Sequence, residues 1–212
     1  MSTDLRAAVA VACDAIEVAR DELCRLDAAA GDGDHGVTMV LGARAIRRAL
    51  EAHPEAEGAA LLALLAPAAG SVGGAIGPLW ATLLFRIAGT LRAAESGAAT
   101  FTTPMLHASG VAALAGVVEL GHAKEGDKTI VDAFGPAVRA LAEAETRGDD
   151  PVTAARAAAE AARAGAAGTA GMVATLGRAA RLGERSRGTA DPGATSFALV
   201  AEALASAAGG AV

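Results

Sequence analysis

Three aspartates, Asp27, Asp32 and Asp34, fall in one short run, Asp27-Ala28-Ala29-Ala30-Gly31-Asp32-Gly33-Asp34-His35-Gly36. Carboxylates this close repel one another unless a cation lies among them. The interleaved glycines let the backbone turn sharply, and the small neighbours leave room for a ligand. Hard oxygen donors of this kind suit a divalent ion, Mg²⁺ above all, which keeps part of its shell for water and phosphate oxygens. A calcium loop opening at Asp32 would want Asp or Asn at 36 and Glu at 43. Gly36 and Ala43 stand there instead. One Asp is explained as a helix cap; three with glycines between them are not.

Further groups suited to an anion surround this loop. His35 follows Asp34, and a helix is expected to start just beyond it. Gly36, Val37 and Thr38 would then offer free N–H groups to a phosphate. Gly70-Ser71-Val72-Gly73-Gly74-Ala75 can expose N–H groups in the same way, although glycines also permit close helix packing. Gly121-His122-Ala123-Lys124-Glu125-Gly126-Asp127-Lys128-Thr129 comes near a P-loop but is not one. An Asp intrudes between the second Gly and the Lys, and a helix precedes it where a P-loop has a strand. Asp127 is expected to cap the next helix, and Lys128 to be a solvated loop lysine. Arg178, Arg181, Arg185 and Arg187 form a local basic excess, and in a helix the first three would share a face. Arginine's planar fork suits phosphate. Asp191-Pro192-Gly193 reads as a cap, with its N–H groups available to line a pocket.

The elements that must position these groups are helices. Alanine, the best helix former, supplies more than a quarter of the chain, while aromatics make up only 2% and strand formers are scarce. An all-α fold follows. Apolar periodicity predicts one helix from Thr3 to Leu26, then Val37–His53 and Glu57–Ala66, and a fourth from the glycine loop to Ala94. Thr102-Thr103-Pro104 opens a fifth helix ending near Gly121. A sixth carries Ile130, Phe134, Val138 and Leu141, with Pro136 expected to bend it or mark a late start. Asp150-Pro151 and Asp191-Pro192 open the seventh and eighth by the same cap-then-proline logic. Eight helices on short loops suggest a bundle of antiparallel neighbours, read as one domain over residues 1–212.

The net charge of −6 argues against a general nucleic-acid binder, which needs a surplus of Lys and Arg. Cys13 and Cys24 sit in a helical pattern and read as small core residues rather than a disulfide framework. Residues Met1 to Arg6 lack the pattern of a signal peptide. Gly58 to Phe85 carries no charge, yet Pro67, Pro78 and the glycines between them break it into two buried helices. No membrane association is expected, and the cytoplasm is the expected address.

Four segments in order now resemble one family. They are Leu26-Asp27-Ala28-Ala29-Ala30-Gly31-Asp32-Gly33-Asp34-His35-Gly36, Gly73-Gly74-Ala75-Ile76-Gly77-Pro78, Gly126-Asp127-Lys128-Thr129, and Leu182-Gly183-Glu184-Arg185-Ser186 with Asp191-Pro192-Gly193-Ala194-Thr195-Ser196. Together they resemble the nucleotide-binding L subunit of dihydroxyacetone kinase, over nearly the whole chain. Ile76 departs from the small polar residue usual there, as does Ala180-Arg181 from the usual aromatic.

The resemblance implies an antiparallel eight-helix barrel with ADP or ATP bound at one end through two Mg²⁺ ions. Asp27, Asp32 and Asp34 would hold the metals. His35, Gly36, Val37, Thr38, Gly70 and Ser71 would contact phosphates. Arg178 and Asp191, Pro192 and Gly193 would border the nucleotide, Arg178 adding positive charge to the transfer, and Gly116 would pack near the base. The implied partner is a K-type subunit or domain that holds a ketose covalently on a histidine. A phosphocarrier of the phosphotransferase type is the alternative source of phosphate to ATP. Two rival functions are a non-catalytic nucleotide-sensing module and a stand-alone metal-dependent phosphatase.

Overall fold

The computed structural model describes residues 4–94 and 101–210. Among them are α1 Leu5–Val18, α2 Arg20–Ala28, α3 His35–Ala52, α4 Gly58–Gly70, α5 Ile76–Ala93, α6 Thr103–Gly121, α7 Val131–Arg147, α8 Pro151–Gly168 and α9 Pro192–Ala208. Short 3-10 helices lie at Thr169–Gly171 and Ala179–Ser186, and the described residues contain no strand. The all-α reading holds.

Three of the starts follow from cap chemistry. Thr102 accepts the Met105 N–H ahead of α6, Asp150 accepts those of Val152 and Thr153 ahead of α8, and Asp191 accepts that of Ala194 ahead of α9. In each case a proline in the first turn forgoes an N–H that would have no helical partner. Pro136 does not mark a late start, since the helix already begins at Val131 and carries the proline inside it. The Asp132 carbonyl that Pro136 cannot serve faces the close approach of Gly165 on α8.

The expected first helix is two. Its expected start, Thr3, lies outside the described residues, and the chain turns at Ala19 between α1 and α2. No Gly or Pro marks that turn. Packing demands it: Leu23 is fully buried, and the Arg20 carbonyl lies where a side chain on Gly36 of α3 would have to go.

Packing then runs in chain order. α1 lies against α3, α3 against α4, and so on through α9, which returns to α1; α2 lies across α3 and α9. The eight helices other than α2 thus close a ring of antiparallel neighbours. At one end, Arg6 at the start of α1 donates to the carbonyls of Leu50 in the last turn of α3 and of His53 and Ala56 beyond it. Thr103 at the start of α6 donates to the Asp149 carbonyl after α7. At the other end lie the connections α1–α2–α3, α4–α5, α6–α7 and α8–α9. Every segment singled out for its chemistry falls in one of these four connections or in the turns beside them.

Alanine explains how closely the staves pack. The buried residues of α8 are all alanine, which keeps α7 and α9 near its backbone. Phe134 and Phe197 stack with ring centroids 4.4 Å apart, and Trp80 lies 6.5 Å from Phe197. A half-open apolar cavity of about 1000 Å³ lies within the ring, lined by Val9, Ile16, Met39, Leu84, Leu141 and Phe197 among others. The uncharged stretch Gly58–Phe85 is α4 and most of α5, with the glycine turn between them. Among the described residues α6 alone is long and apolar enough to cross a bilayer by length and composition, with 28% of that window buried.

Candidate functional site

At the acidic end the three aspartates are brought together. One carboxylate oxygen from each of Asp27, Asp32 and Asp34 lies within 4.8 Å of the others. Asp27, in the last turn of α2, is buried, while Asp32 and Asp34 are more than half exposed. Their duties differ. Asp27 Oδ2 accepts the N–H of Asp34 at 2.9 Å and of His35 at 3.2 Å, so it caps α3 from the preceding helix. Asp34 occupies the cap position of α3 but makes no cap bond. Neither exposed carboxylate is used by the helix.

Arg178 serves them instead. Its guanidinium donates to Asp32 and lies 3.7 Å from Asp34. A cation among three carboxylates is what the charge demands, and a divalent ion fits the same donor set. Desolvation raises the Asp32 carboxyl, but its own backbone N–H, Arg178 and a hydrogen bond with Asp34 outweigh that and hold it below its ordinary value. Asp34 is pushed up by desolvation and then by the Asp32 charge. The neighbours therefore split in opposite directions, as expected of like charges sharing a site.

His35 opens α3, and a hydrogen bond of 3.1 Å joins its Nε2 to Ser196 Oγ on α9. Burial lowers its pKa, partly offset by Asp27. Val37 and Thr38 follow in the first turn, beside the acidic loop, but the Thr38 N–H is not the free donor expected, since it donates to the Asp34 carbonyl at 2.9 Å. Gly36 is buried against Arg20 and Cys24 of α2, so helix contact alone explains its lack of a side chain. Gly70 and Ser71 close α4 at this same end, and the Ser71 hydroxyl donates to the Ala68 carbonyl at 2.7 Å. Gly116 is buried in the α5–α6 contact, where a Cβ would lie 2.9 Å from Thr82 and Arg86 side-chain atoms. Asp191 is half-buried, accepts the Ala194 N–H at 2.7 Å, and is pushed up to about 6 by desolvation. Pro192 and Gly193 follow it into α9.

Three local expectations are corrected. The arginines share no helix face. Ala179–Ser186 is 3-10 and is broken at Gly183 (φ 53°), Arg178 precedes it, and Arg187 turns to Glu184 and the Gly171 carbonyl. Asp127 does not cap α7. It accepts the Lys124 N–H at 2.8 Å and the Thr175 hydroxyl at 2.6 Å, while Asp132, inside α7, accepts the N–H groups of Gly126 and Thr129. Lys128 is no solvated lysine. It is 4% exposed, with its ammonium among carbonyls.

Sequence reasoning gave no role to Ser196, Thr169 or Thr175. Ser196 is fully buried; a lone hydroxyl on the inward side of an alanine-rich helix was its available signal. Thr169, also fully buried, accepts the Asp191 N–H at 2.8 Å; nothing local marks it.

Comparison with known proteins agrees with this architecture. Residues 29–206 match the model of the DAK2 domain. The chain is 40% identical over 197 residues to the D-erythrulose kinase of Mycolicibacterium smegmatis, covering 91% of this chain and 33% of that protein. It is 35% identical over 196 residues to the ADP-binding subunit of the PEP-dependent dihydroxyacetone kinase of Escherichia coli, covering 92% of this chain and 91% of that subunit. Among solved structures, the dihydroxyacetone kinase of C. freundii in complex with AMP-PNP and Mg²⁺ superposes with a TM-score of 0.69. That match is at 29% identity and covers 95% of this chain and 33% of that one. The chain thus spans about a third of the length of the erythrulose kinase it matches.

Proposed function

The chain belongs to the DAK2-domain family, and from that premise we propose that it is the nucleotide-binding component of a kinase for a short ketose. In this reading it holds Mg–ATP, or an ADP rephosphorylated by a phosphocarrier protein of the phosphotransferase type. It works in the cytoplasm with a K-type subunit or domain that holds the ketose. The observation that carries the reading is the set of three converging carboxylates at the start of α3, two of them unused by the helix they precede.

Each residue then has a role that follows from its position. Asp32 and Asp34, with Asp27 behind them, would hold two Mg²⁺ ions. Bound magnesium supplies charge neutralisation to the phosphate oxygens and orients them for in-line transfer. Asp27 also fixes the first turn of α3, whose N–H groups at Gly36 and Val37 would face the anion, while Thr38, whose N–H is spent on the Asp34 carbonyl, would act through its side chain. Ser196 orients His35 toward the phosphates. Ser71 and the end of α4 close another side, Asp191-Pro192-Gly193 border the nucleotide, and Gly116 lies deeper under the base. Arg178, the counter-ion of Asp32 and Asp34, stands where its charge would be added to that of the metal at the transferring phosphoryl group. Phosphoryl transfer rests on positioning and charge, so this chain need supply no general base.

The test is a mixture of purified chain, Mg²⁺ and ATP with dihydroxyacetone or erythrulose, with and without a K-type partner. The expected result is ketose phosphate only when the partner is present, from ATP or from the phosphocarrier system. Phosphate release by the chain alone would instead mark a phosphatase. Nucleotide binding without turnover in any mixture would mark a sensing module.

A further inference from the structure

Lys128 is an unusual place to put a charge. Its backbone is left-handed (φ 63°), a conformation that costs a non-glycine residue about 1 kcal/mol or more. The side chain runs inward and Nζ donates to the carbonyls of Thr189 at 2.6 Å, Thr169 at 2.8 Å and Met172 at 3.4 Å. Among the described residues no carboxylate hydrogen-bonds to it, although the Asp191 charge acts on it. An ammonium has three donors and no acceptor, and here all three are spent on main chain.

Those carbonyls lie at the two ends of one segment. Thr169 and Met172 begin it, at the end of α8, and Thr189 finishes it just before Asp191. Neighbouring bonds close the same loop. Gly188 N–H donates to the Ala170 carbonyl at 2.8 Å, and Asp191 N–H donates to Thr169 Oγ1. Asp127 holds the segment's near arm, since its carbonyl and carboxylate accept the N–H and hydroxyl of Thr175. Arg178 stands between these anchors, where it meets Asp32.

We propose that Lys128 is a positioning residue of the phosphoryl-transfer site: by gathering the two ends of residues 169–189, it fixes the place of Arg178 over the acidic loop. An apolar side chain in its place would take the ammonium from the Met172 and Thr189 carbonyls and leave the Thr169 carbonyl with the Met172 N–H alone, so that the two arms would be joined only by the Gly188–Ala170, Asp191–Thr169, Ala174–Ser186 and Arg187–Gly171 bonds. The inference rests on the proposed role of Arg178 for its effect on transfer, but not for the clamp itself.

The experiment takes the full chain carrying Lys128→Met. Trypsin probes the segment, which offers Arg178, Arg181, Arg185 and Arg187, and partner-dependent ketose phosphorylation probes the site. With helical circular dichroism retained, cleavage after these arginines should accelerate about tenfold while sites elsewhere stay protected. kcat should fall about tenfold or more with the KM for ketose unchanged. In a chain already carrying Arg178→Gln, Lys128→Met should lower kcat no further. Unchanged or evenly spread cleavage, or additive losses in kcat, would overturn the proposal. If Lys128→Met fails to fold, Lys128→Gln, whose amide has two donors in place of three, takes its place, expected to give a smaller but equally local rise in cleavage; no rise overturns the proposal. A native chain that never turns over with any partner would defeat the kinase reading, while the cleavage pattern would still decide the clamp.

Discussion

Asp32 and Asp34 hold no part of the helix beside them, and this separates binding from folding. The Asp32–Arg178 pair is half exposed on both sides, and such pairs contribute about 0–1 kcal/mol. Asp32→Ala should therefore leave the helical signal and melting temperature nearly unchanged while abolishing Mg²⁺-dependent nucleotide binding by calorimetry; unaltered affinity would refute the metal assignment. Asp127 behaves in the opposite way. Bonds from the Thr175 hydroxyl and then from Lys124 lower its pKa to about 2 from 3.8. Because the folded value is the lower one, its stabilisation is present above pH 3.8 and is lost as pH falls toward 2. Melting temperatures across that window should drop less steeply in Asp127→Asn, which lacks the charge at every pH. The aspartate trio was legible in the sequence because its members are neighbours along the chain. Lys128 was not, because its partners lie 41, 44 and 61 residues away and nothing local says that carbonyls will gather there.

At the level of elements, the crossing of α2 and α3 positions the proposed metal site, because Asp27 rides on one helix and caps the other. Gly36 makes that crossing possible. A Cβ there would run into the Arg20 carbonyl and lie 2.8 Å from Cys24 Sγ. Gly36→Ala should cost about 1–3 kcal/mol, as overpacked cores do, and lower the melting temperature by several degrees. It should also weaken Mg²⁺-dependent nucleotide binding, since α2 must shift and take Asp27 with it. Trimming Cys24 to Ala should not rescue it, because the larger conflict is with backbone. The helix starts at α6, α8 and α9 could be read in advance from a hydroxyl or carboxylate followed by Pro. The break at Ala19 could not, since Glu17-Val18-Ala19-Arg20 has no helix breaker and only the packing of Leu23 and Gly36 requires it. The arginine run misled for a related reason: its spacing suits an α-helix, but Gly183 breaks the segment and α-helical periodicity never applies.

On the scale of the molecule, chemistry and architecture occupy opposite ends of one ring. The far-end links join staves, whereas the acidic-end connections bring together backbone N–H groups, carboxylates and Arg178. A short Gly-Ser insertion after Gly73, between α4 and α5, should reduce nucleotide affinity with little loss of helix, as surface loops tolerate added length. The same insertion at Asp149, between α7 and α8, should leave affinity untouched. Equal effects at both positions would contradict this division of labour.

Leu5 at the start of α1 and Ala208 at the end of α9 both emerge on the far face. A helix of this length spans about 25 Å. Anything joined covalently to either terminus therefore begins one barrel length away from the carboxylates. In the proposed kinase, a ketose-bearing domain tethered there would either reach along the outside of the barrel to serve its own chain, or donate its substrate across to the mouth of a neighbouring copy.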